Sequence, residues 1–381
     1  MQACSSRAGI VTTQHQARVE LVSFKKRVRK LRLDLAKAGF EGSDRFLVSA
    51  GSNIQYLCGF AGSYGFLIIS ADHAKLYTDG RYTAQARAQA RGVDVCESTQ
   101  SPLDLLFSDL HEERVRRLAV EENRISHALY RTLRRKLRRT RVEPVDGLVE
   151  KLRLVKTPDE IEKIRLAARL NSRAFDNVCS RARAEWTEAR LAAELDFEFR
   201  SLGAEGPAFE TIVASGPHSA LPHARARTKR IVPNSLVVLD HGAILDGYNS
   251  DMTRTICFGR VGSEKRRIFR AVRKAQKAAV DQVRSGVKAA TVDQAARKVL
   301  ADFGYGDVFP HATGHGVGLE IHEQPRVGAG EQTRLASGMV ITIEPGAYVE
   351  GVGGVRIEDL LLVTKTGCEL LSRTPRQLRT L

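Results

Sequence analysis

Four carboxylates within apolar, strand-like runs constrain this sequence more than any other feature. An ionised carboxylate is costly to bury alone, so strands that contain such groups require positive charge nearby. A cluster of metal ions would supply that charge, and oxygen-rich ligation suits Mn²⁺, Co²⁺ or Zn²⁺. The four acids are Asp240 after Leu236–Leu239, Asp251 before Met252–Ile256, Glu344 after Met339–Ile343, and Glu358 within Val355–Val363.

The four acids fall into two similar pairs, each flanking a turn or a glycine-rich segment. Neighbouring antiparallel strands joined in this way can direct both carboxylates of a pair to one point. For a single acid the alternative is an ion pair, with Arg254 or Arg356 as partner. Four acids in matching positions favour the metal cluster. The pairs are Asp240 with Asp251 around Asp246-Gly247, and Glu344 with Glu358 around residues 346–354.

The order of predicted elements repeats from about residue 154 onward. Each pass has two helices followed by strands, although residue identity does not repeat, so we expect two similar halves with a site at their interface. The first pass has helices at 158–180, begun by Thr157-Pro158, and from Thr187 to about 202, with strands at Glu210–Ala214, Leu236–Ala243 and Gly247–Cys257. The second has helices at 263–285 and from Thr291 to about 303, with strands at Met339–Pro345 and Val355–Thr364.

Histidines cluster in the segment between the two acid pairs. His311, His315 and His322 lie within 12 residues, although the chain has only ten histidines. Imidazole is a common nitrogen ligand and proton carrier near neutral pH. The glycines around His315 permit close backbone approach, but their spacing is not that of a dinucleotide-binding loop. Two more histidines, His218 and His223, lie upstream.

The first 153 residues predict a separate α/β domain, as expected for a chain of 381 residues. The pattern predicts a helix over 16–38, then alternating strands and helices. Basic residues crowd its end, where the alternatives are a surface that binds nucleic acid or an anionic membrane and a solvated helix face. Leu133 and Leu137, spaced four apart, and the absence of interleaved aromatic residues favour the solvated face. These residues are Arg131, Arg134, Arg135, Lys136, Arg138, Arg139 and Arg141.

Composition excludes several classes of protein. A hydrophobic fraction of 43% excludes wholesale disorder. Six scattered cysteines form no CxxC pair, which disfavours a disulfide framework or a thiolate zinc site and favours a reducing compartment. The first 20 residues lack the apolar core of a secretory signal, and no apolar run is long enough to span a membrane. We therefore expect a cytoplasmic protein, despite a net charge of +16 that raises the question of an anionic partner.

Taken in order, the motifs of residues 156–363 resemble those of the pita-bread metallopeptidases, the family of Xaa-Pro aminopeptidase, Xaa-Pro dipeptidase (prolidase) and methionine aminopeptidase. The first domain resembles, less strongly, the one that precedes the catalytic domain in the prolidase and creatinase branch, through Asn53–Phe60 and Tyr77–Tyr82. Methionine aminopeptidases generally lack such a domain. The motifs of the catalytic part are Leu-Pro-His223, Leu-Asp240-His-Gly, Asn-Ser-Asp251-Met-Thr-Arg, Thr-Gly-His315-Gly, Ile-His322-Glu, Ile-Glu344-Pro-Gly and Arg356-Ile-Glu358.

The resemblance implies a creatinase-like α/β domain at 1–153 and a pita-bread catalytic domain at 154–381 with pseudo-twofold related halves. It implies two divalent ions, with Mn²⁺ expected and Co²⁺ or Zn²⁺ as alternatives. His223, His322 and Glu344 are implied to act in catalysis, and His311 and Arg356 to contact substrate or support the site. The implied metal ligands are Asp240, Asp251, His315, Glu344 and Glu358.

Two residues depart from the commonest family pattern. His218 stands where Asn is more frequent, on a loop expected beside the substrate, and His241 stands where Phe is more frequent. His241 follows a ligand position and is expected to point to the opposite face of its strand.

The implied reaction is removal of the residue before proline from a peptide, by a water molecule that bridges two metal ions. We expect an Xaa-Pro aminopeptidase acting on peptides with proline in second position, with a strict Xaa-Pro dipeptidase as the alternative. A catalytically inactive binding protein on the same fold is the remote alternative, and the complete ligand set argues against it. The resemblance also implies a homodimer, with neither a membrane nor nucleic acid expected as partner.

Overall fold

A computed structural model describes residues 22–381 of the chain. They form two compact units that divide between Arg153 and Leu154. Among the residues described, no helix is both long and apolar enough to cross a membrane.

The first unit is built on a six-stranded mixed sheet with helices between the strands. The sheet order is β4-β3-β2-β1-β5-β6, in which β1–β2 and β2–β3 are antiparallel and the other three pairings are parallel. Its strands are β1 Arg45–Val48, β2 Phe66–Ile69, β3 Ala74–Asp79, β4 Asp94–Ser98, β5 Arg117–Glu121 and β6 Arg141–Val145. Its helices are α1 (residues 22–37), α2 Gly51–Cys58, α3 Thr83–Gln89, α4 Pro102–Glu112, α5 His127–Lys136 and α6 Leu148–Arg153.

The helix predicted over 16–38 is present over 22–37, and its first six positions lie outside the described residues. The basic segment forms α5 and the turn after it. Leu133 and Leu137 are buried, whereas the arginines around them are exposed. This is the arrangement of a solvated helix face packed through its leucines.

The helices of the second unit begin largely where the sequence predicts. The Thr157 hydroxyl and the Glu160 carboxylate form a reciprocal capping box at the start of α7, with Pro158 in its first turn. Thr187 caps α8. The predicted start at Thr291 is wrong, because α10 begins at Ala289 without a side-chain cap. These helices are α7 Pro158–Arg181, α8 Glu188–Ser201, α9 Ser263–Val280 and α10 Ala289–Asp302, with 3₁₀ helices at Gly216–Ala220 and Gly306–Val308.

The strands of the second unit form four sheets. Their orders are β11-β10-β7, β20-β12-β9-β8, β14-β13-β15-β18-β19 and β16-β17. The strands are β7 Gly206–Pro207, β8 Ile212–Ser215, β9 Ser235–His241, β10 Ala243–Leu245, β11 Tyr248–Asn249, β12 Met252–Phe258, β13 Gly314–Gly316, β14 Glu323–Val327, β15 Val340–Ile343, β16 Gly346–Val349, β17 Gly353–Arg356, β18 Asp359–Val363, β19 Cys368–Leu370 and β20 Arg379–Thr380.

The predicted repeat of two helices followed by strands is present. In the first half β9 pairs antiparallel with β12, and in the second half β15 pairs antiparallel with β18. In each half the helices pack on these strands to form a continuous apolar core. The chain thus has the two-domain α/β fold predicted from its motifs.

The run Val355–Thr364, predicted as one strand, is two strands in different sheets. Val355 pairs with Ala347 in the β16–β17 hairpin, whereas Leu360 pairs with Thr342 of β15. The run Gly247–Cys257 is likewise broken into β11 and β12. Both breaks occur beside a carboxylate that sequence analysis placed within a strand, namely Glu358 and Asp251.

Candidate metal centre

Three side chains converge in the second unit, two from residues that directly precede β12 and β18 and one from the middle of β13. Asp251, His315 and Glu358 each offer a ligand atom, and these atoms all lie within 4.8 Å of one another. His315 Nε2 is 3.6 Å from Asp251 Oδ2. Both carboxylates are buried. The group contains residues from both halves of the repeat.

Glu344 joins this group from the end of β15. Its Oε1 is 3.4 Å from His315 Nε2, and its backbone N–H donates to the carbonyl of Thr313. Because Ile343 pairs with Asp359, Glu344 and Glu358 lie just beyond the same end of the β15–β18 ladder. The ladder therefore brings together the second predicted pair of acids.

The first pair is brought together by the register of β9 and β12. Asp240 pairs with Thr253, and His241 pairs with Met252 at the end of the ladder. Asp251, which precedes Met252, therefore lies just beyond this end. Asp240 accepts a hydrogen bond from Arg356 at 2.5 Å through Oδ2. Within the described chain its other oxygen, Oδ1, is buried and has no hydrogen-bond partner.

The strand that carries His315 can approach β15 closely because glycines flank the histidine. A Cβ atom at Gly314 would lie 2.0 Å from the carbonyl oxygen of Thr342, and one at Gly316 would lie 2.2 Å from that of Gln324. These contacts leave room for backbone only. The glycines that sequence analysis associated with close approach thus place His315 between β14 and β15.

The orientation of the His315 ring is set by its own strand. Its Nδ1 lies 3.0 Å from the carbonyl oxygen of Gly316, which assigns the proton to Nδ1 and leaves the Nε2 lone pair facing the acids. Burial also lowers the pKa of His315, which favours the neutral ring. A neutral imidazole with a free Nε2 is the form that binds a metal ion.

Burial and mutual repulsion raise the pKa values of three carboxyl groups in the cluster. The pKa of Asp251 is raised well above its usual range, first by burial and then by the charges of Asp240 and Glu344. That of Glu358 is raised by burial and by Asp251. Burial raises the pKa of Glu344 to about 7, although Arg356 opposes the shift. Carboxylates held this close require added cations to remain ionised together.

A hydrogen-bonded chain links the cluster to His311. Arg356 donates to Asp240 and, at 2.8 Å, to the hydroxyl of Tyr348, which lies 2.8 Å from His311 Nε2. His311 therefore contacts Tyr348 rather than the acids, and burial followed by the charge of Arg356 lowers its pKa to about 4. No local sequence signal points to Tyr348, since only the β16–β17 pairing brings its hydroxyl to Arg356.

Arg254, the other arginine considered as an ion-pair partner, pairs instead with Asp359 at 2.7 Å. A hydroxyl that sequence analysis also missed, that of Thr253, donates to Glu358 at 2.8 Å. The cluster is therefore only partly neutralised, with Arg356 binding one of the four acids.

His223 and His322 have exposed side chains. The His322 ring packs edge-on against His315, with centroids 4.4 Å apart. His223 follows Pro222, whose carbonyl accepts a hydrogen bond from Arg356 at 3.1 Å. Both imidazoles thus belong to segments that contact the cluster, yet they remain open to a substrate.

The two unusual histidines have different surroundings. His241 is fully buried, stacks on Phe175 at 5.5 Å and has its Nδ1 2.6 Å from Asn171, on the face of β9 away from the acids as expected. Burial lowers its pKa to about 3. His218 lies in the Gly216–Ala220 helix with its Nδ1 3.1 Å from Glu188.

The donor set fits divalent metal ions. Four carboxylates and one neutral imidazole are the hard and borderline donors that Mn²⁺, Co²⁺ and Zn²⁺ accept. Within the part of the chain that is described, two buried oxygens of the cluster, Asp240 Oδ1 and Asp251 Oδ1, lack any hydrogen-bond partner. Unsatisfied buried carboxylate oxygens in one cluster are the positions that a cation would occupy.

Comparison with known proteins agrees with this arrangement. Residues 162–365 match metallopeptidase family M24, and residues 27–155 match the creatinase/prolidase N-terminal domain. The chain belongs to metallopeptidase family M24. The M24 match includes every residue of the cluster.

Relatives in family M24 span nearly the whole chain. An Xaa-Pro dipeptidase of Pyrococcus furiosus is 37% identical over 88% of this chain and 95% of its own length. The structure of an Xaa-Pro dipeptidase from Bacillus anthracis has a TM-score of 0.90 at 36% identity, covering 94% of this chain and 100% of that one. That of an X-Pro aminopeptidase from Thermotoga maritima has a TM-score of 0.84 at 36% identity, covering 89% and 97%.

Proposed function

We propose that this M24 metallopeptidase is an Xaa-Pro dipeptidase, which hydrolyses the bond between an amino-terminal residue and a carboxyl-terminal proline. The observation that carries this proposal is the likeness, across both units, to the Pyrococcus furiosus and Bacillus anthracis proteins named Xaa-Pro dipeptidase. The relatives thus favour the dipeptidase over the aminopeptidase expected from sequence. The cluster of side chains that could bind metal ions supports a hydrolase rather than an inactive binding protein.

Asp240, Asp251, His315, Glu344 and Glu358 are the proposed ligands of two divalent ions, with Mn²⁺ expected. When bound, the ions would lower the pKa of a water molecule and polarise the scissile carbonyl. Arg356 keeps one oxygen of Asp240 in place and leaves Oδ1 for a metal. Thr253 and Thr342 similarly orient Glu358 and Glu344 through their hydroxyl groups.

Glu344 is the proposed carrier of the proton from the attacking water to the leaving nitrogen of proline. Its Oε1 faces His315 at the end of β15. A carboxylate placed beside the attacking water can accept its proton and release it to the leaving nitrogen. His223 and His322, exposed beside the cluster, would bind the carbonyl oxygen and stabilise its developing negative charge.

Proline suits a site of this kind. An Xaa-Pro bond has no N–H, and the pyrrolidine ring fixes φ, so a peptidase that binds the substrate through that N–H discriminates against it. A metal centre acts on the carbonyl and the leaving nitrogen instead. The shape of the ring can then provide specificity.

The second candidate function is that of an Xaa-Pro aminopeptidase, favoured by the likeness to the Thermotoga maritima structure. The two functions differ in whether the site accepts a residue after proline. The first substrate residue is common to both.

The experiment is an assay of the full chain, freed of metal and then loaded with Mn²⁺. Ala-Pro, Ala-Pro-Ala and Ala-Ala are compared at equal concentration. We expect kcat/KM for Ala-Pro to exceed that for each other peptide by about 100-fold, a difference of about 2.7 kcal/mol in transition-state binding. Faster cleavage of Ala-Pro-Ala would establish the aminopeptidase instead. Absence of Mn²⁺-dependent cleavage of all three would contradict both functions.

A further inference from the structure

The loop between β8 and β9 carries His223, and the chain is fastened to one carboxylate both before and after this histidine. Glu188 lies in the first turn of α8, and its side chain is completely buried. At the start of the loop, the Ser215 N–H and hydroxyl donate to Glu188 Oε1 at 2.9 and 3.1 Å. Towards its end, the Arg227 N–H donates to Oε2 at 3.1 Å.

Side chains from before and after His223 add to this attachment. The Arg227 guanidinium donates to Glu188 through Nε at 3.0 Å and through a terminal nitrogen at 3.1 Å. His218 Nδ1 approaches Oε2 at 3.1 Å from the other side. A buried carboxylate with this many donors holds them in fixed positions, because each donor would lose a charged partner by moving.

The middle of the loop is held from β17. The Gly354 N–H donates to Ser219 Oγ at 2.8 Å, and Arg356 donates to the Pro222 carbonyl at 3.1 Å. His223 is the next residue, and its side chain is exposed. The hydrogen bonds on either side therefore hold the His223 backbone, from which the imidazole extends.

The second half of the unit has a corresponding arrangement. Asp293 of α10 is buried, accepts from the Thr313 hydroxyl at 2.8 Å and pairs with Arg297 at 2.7 Å. Arg297 in turn donates to the carbonyls of Phe309 and His311, at 3.1 and 2.6 Å. In each half, then, an acid on the second helix holds the segment that leads to a histidine of the site.

We propose that Glu188, acting with His218 and Arg227, is a positioning residue that sets the place of His223 for peptide hydrolysis. The inference rests on the proposed function, because His223 acts there on the reacting carbonyl. Glu188 does not contact the reacting atoms. Its effect on the rate passes through His223, since the loop it fastens contains that residue.

The first test is Glu188→Gln in the Mn²⁺-loaded protein, with Glu198→Gln as the matched control. Glu198 lies on the same helix and receives charged hydrogen bonds from α7, but it does not touch the loop. Because a displacement of about 1 Å can cost about 100-fold, we expect Glu188→Gln to lower kcat by about 10- to 100-fold. KM should change less than about twofold, since His223 acts mainly in the transition state. The metal content should equal that of the parent.

A double-mutant cycle distinguishes positioning from a general loss of structure. If Glu188 acts through His223, adding Glu188→Gln to His223→Ala should lower kcat little further. If both losses multiply in full, Glu188 acts independently of His223 and the proposal is wrong. Unchanged kcat in Glu188→Gln alone also overturns it. If Glu188→Gln does not fold, the same cycle is carried out with His218→Leu in place of Glu188→Gln. The variant His218→Asn, which retains an N–H donor, should then have a kcat close to that of the parent.

Trypsin provides a readout independent of activity. Arg225 is exposed within the fastened loop, with 86% of its side chain accessible. Glu188→Gln should speed cleavage after Arg225 by about 10-fold, whereas Glu198→Gln should not. Equal cleavage in the two variants would contradict the proposed fastening. The proposed function is tested separately, by the peptides that the parent protein cleaves. The double-mutant cycle then compares the variants on a peptide that the parent cleaves, so the two tests can fail independently.

Discussion

The guanidinium of Arg356 binds one oxygen of Asp240 at 2.5 Å and leaves the other without a hydrogen-bond partner within the described residues. Arg356 also binds Tyr348 and the carbonyl of Pro222. It thereby connects a proposed metal ligand, the chain to His311 and the loop of His223. Its planar fork can serve all three, which a lysine ammonium cannot do with the same geometry.

We therefore predict that Arg356→Lys weakens Mn²⁺ binding by about 10- to 100-fold, the usual effect of losing a group that orients a ligand. Calorimetric titration of the metal-free protein measures this. The control is Arg165→Lys, which breaks a two-point contact with Glu369 of β19, a residue that is not part of the cluster. Equal Mn²⁺ affinity in the two variants would contradict the prediction.

Asp251→Asn should abolish the increase in Tm that Mn²⁺ produces, because the variant lacks a ligand. Without metal, the same variant should melt about 2–4 °C above the metal-free parent, the shift expected from roughly 1 kcal/mol. The physical reason is that burial and the neighbouring acids raise the pKa of Asp251, so its carboxyl group is costly to keep in the metal-free fold, whereas a neutral amide is not.

Differential scanning calorimetry with and without Mn²⁺ checks both parts of this prediction. Asp246→Asn is the matched control, since Asp246 lies exposed at the turn preceding Asp251. A parent-like response of Asp251→Asn to Mn²⁺ would remove Asp251 from the ligand set. Glu344→Ala should abolish Mn²⁺-dependent peptide hydrolysis, because it too removes a proposed ligand.

Glu188 should make stability depend on pH in a defined window. Burial alone would raise its pKa, but the Arg227 guanidinium, backbone N–H groups and His218 outweigh burial, and the net pKa lies below 4.5. A lowered pKa in the folded state stabilises the protein above the pKa of the unfolded chain, and this stability is lost as pH falls through the folded value. Glu188→Gln should cost about 2 kcal/mol at pH 7.

Urea unfolding in EDTA at pH 8, 7, 5 and 4 measures the difference in free energy of unfolding between the Glu188→Gln variant and the parent. The difference in free energy of unfolding should stay constant down to about pH 5. Below 4.5 it should narrow, because the unfolded parent binds a proton at Glu188 before the folded parent does. The metal cluster is common to both proteins and cancels. A difference that widens on acidification would have the wrong sign for a lowered pKa.

The buried pair of Lys156 and Glu323 should be sensitive to loss of either member. Their charged atoms are 3.0 Å apart, and the side chains are 2% and 6% exposed. Lys156→Met removes the cation that lies 3.0 Å from this carboxylate and should destabilise the protein by about 3 kcal/mol. The double variant Lys156→Met/Glu323→Gln should recover part of that loss, as judged by urea unfolding. A double variant less stable than Lys156→Met would argue against the pair.

The positions of the site acids could be predicted from the sequence, because a charged residue within an apolar run is unusual. A carboxylate at the end of Leu236–Leu239 is anomalous unless something compensates it, and in the fold Arg356 binds this carboxylate beside other acids. Local signals also sufficed at Thr157-Pro158, where the capping box forms. The helix at Ala289 begins without a side-chain cap, so Thr291 was the misleading signal.

The parts that were not predictable depend on contacts distant in sequence. Val355–Thr364 has the composition of one strand. Its first part pairs with β16 and its second part with β15, and the change of partner occurs beside Glu358. The bonds of Arg356 to Asp240 and of Arg227 to Glu188 likewise need the fold, since no local spacing relates their partners. The roles of the individual site residues remain predictions that the experiments above test.

The cluster draws Asp240 and Asp251 from the first half of the catalytic unit and His315, Glu344 and Glu358 from the second. A cation shared among them would act as a cross-link between segments far apart in the chain, lowering the entropy of any state in which only one half has come apart. Metal loading should then bind the two halves into a single cooperative melting unit. Removal of the metal by a chelator would allow either half to unfold separately, so the ion would stabilise the fold as well as take part in the chemistry.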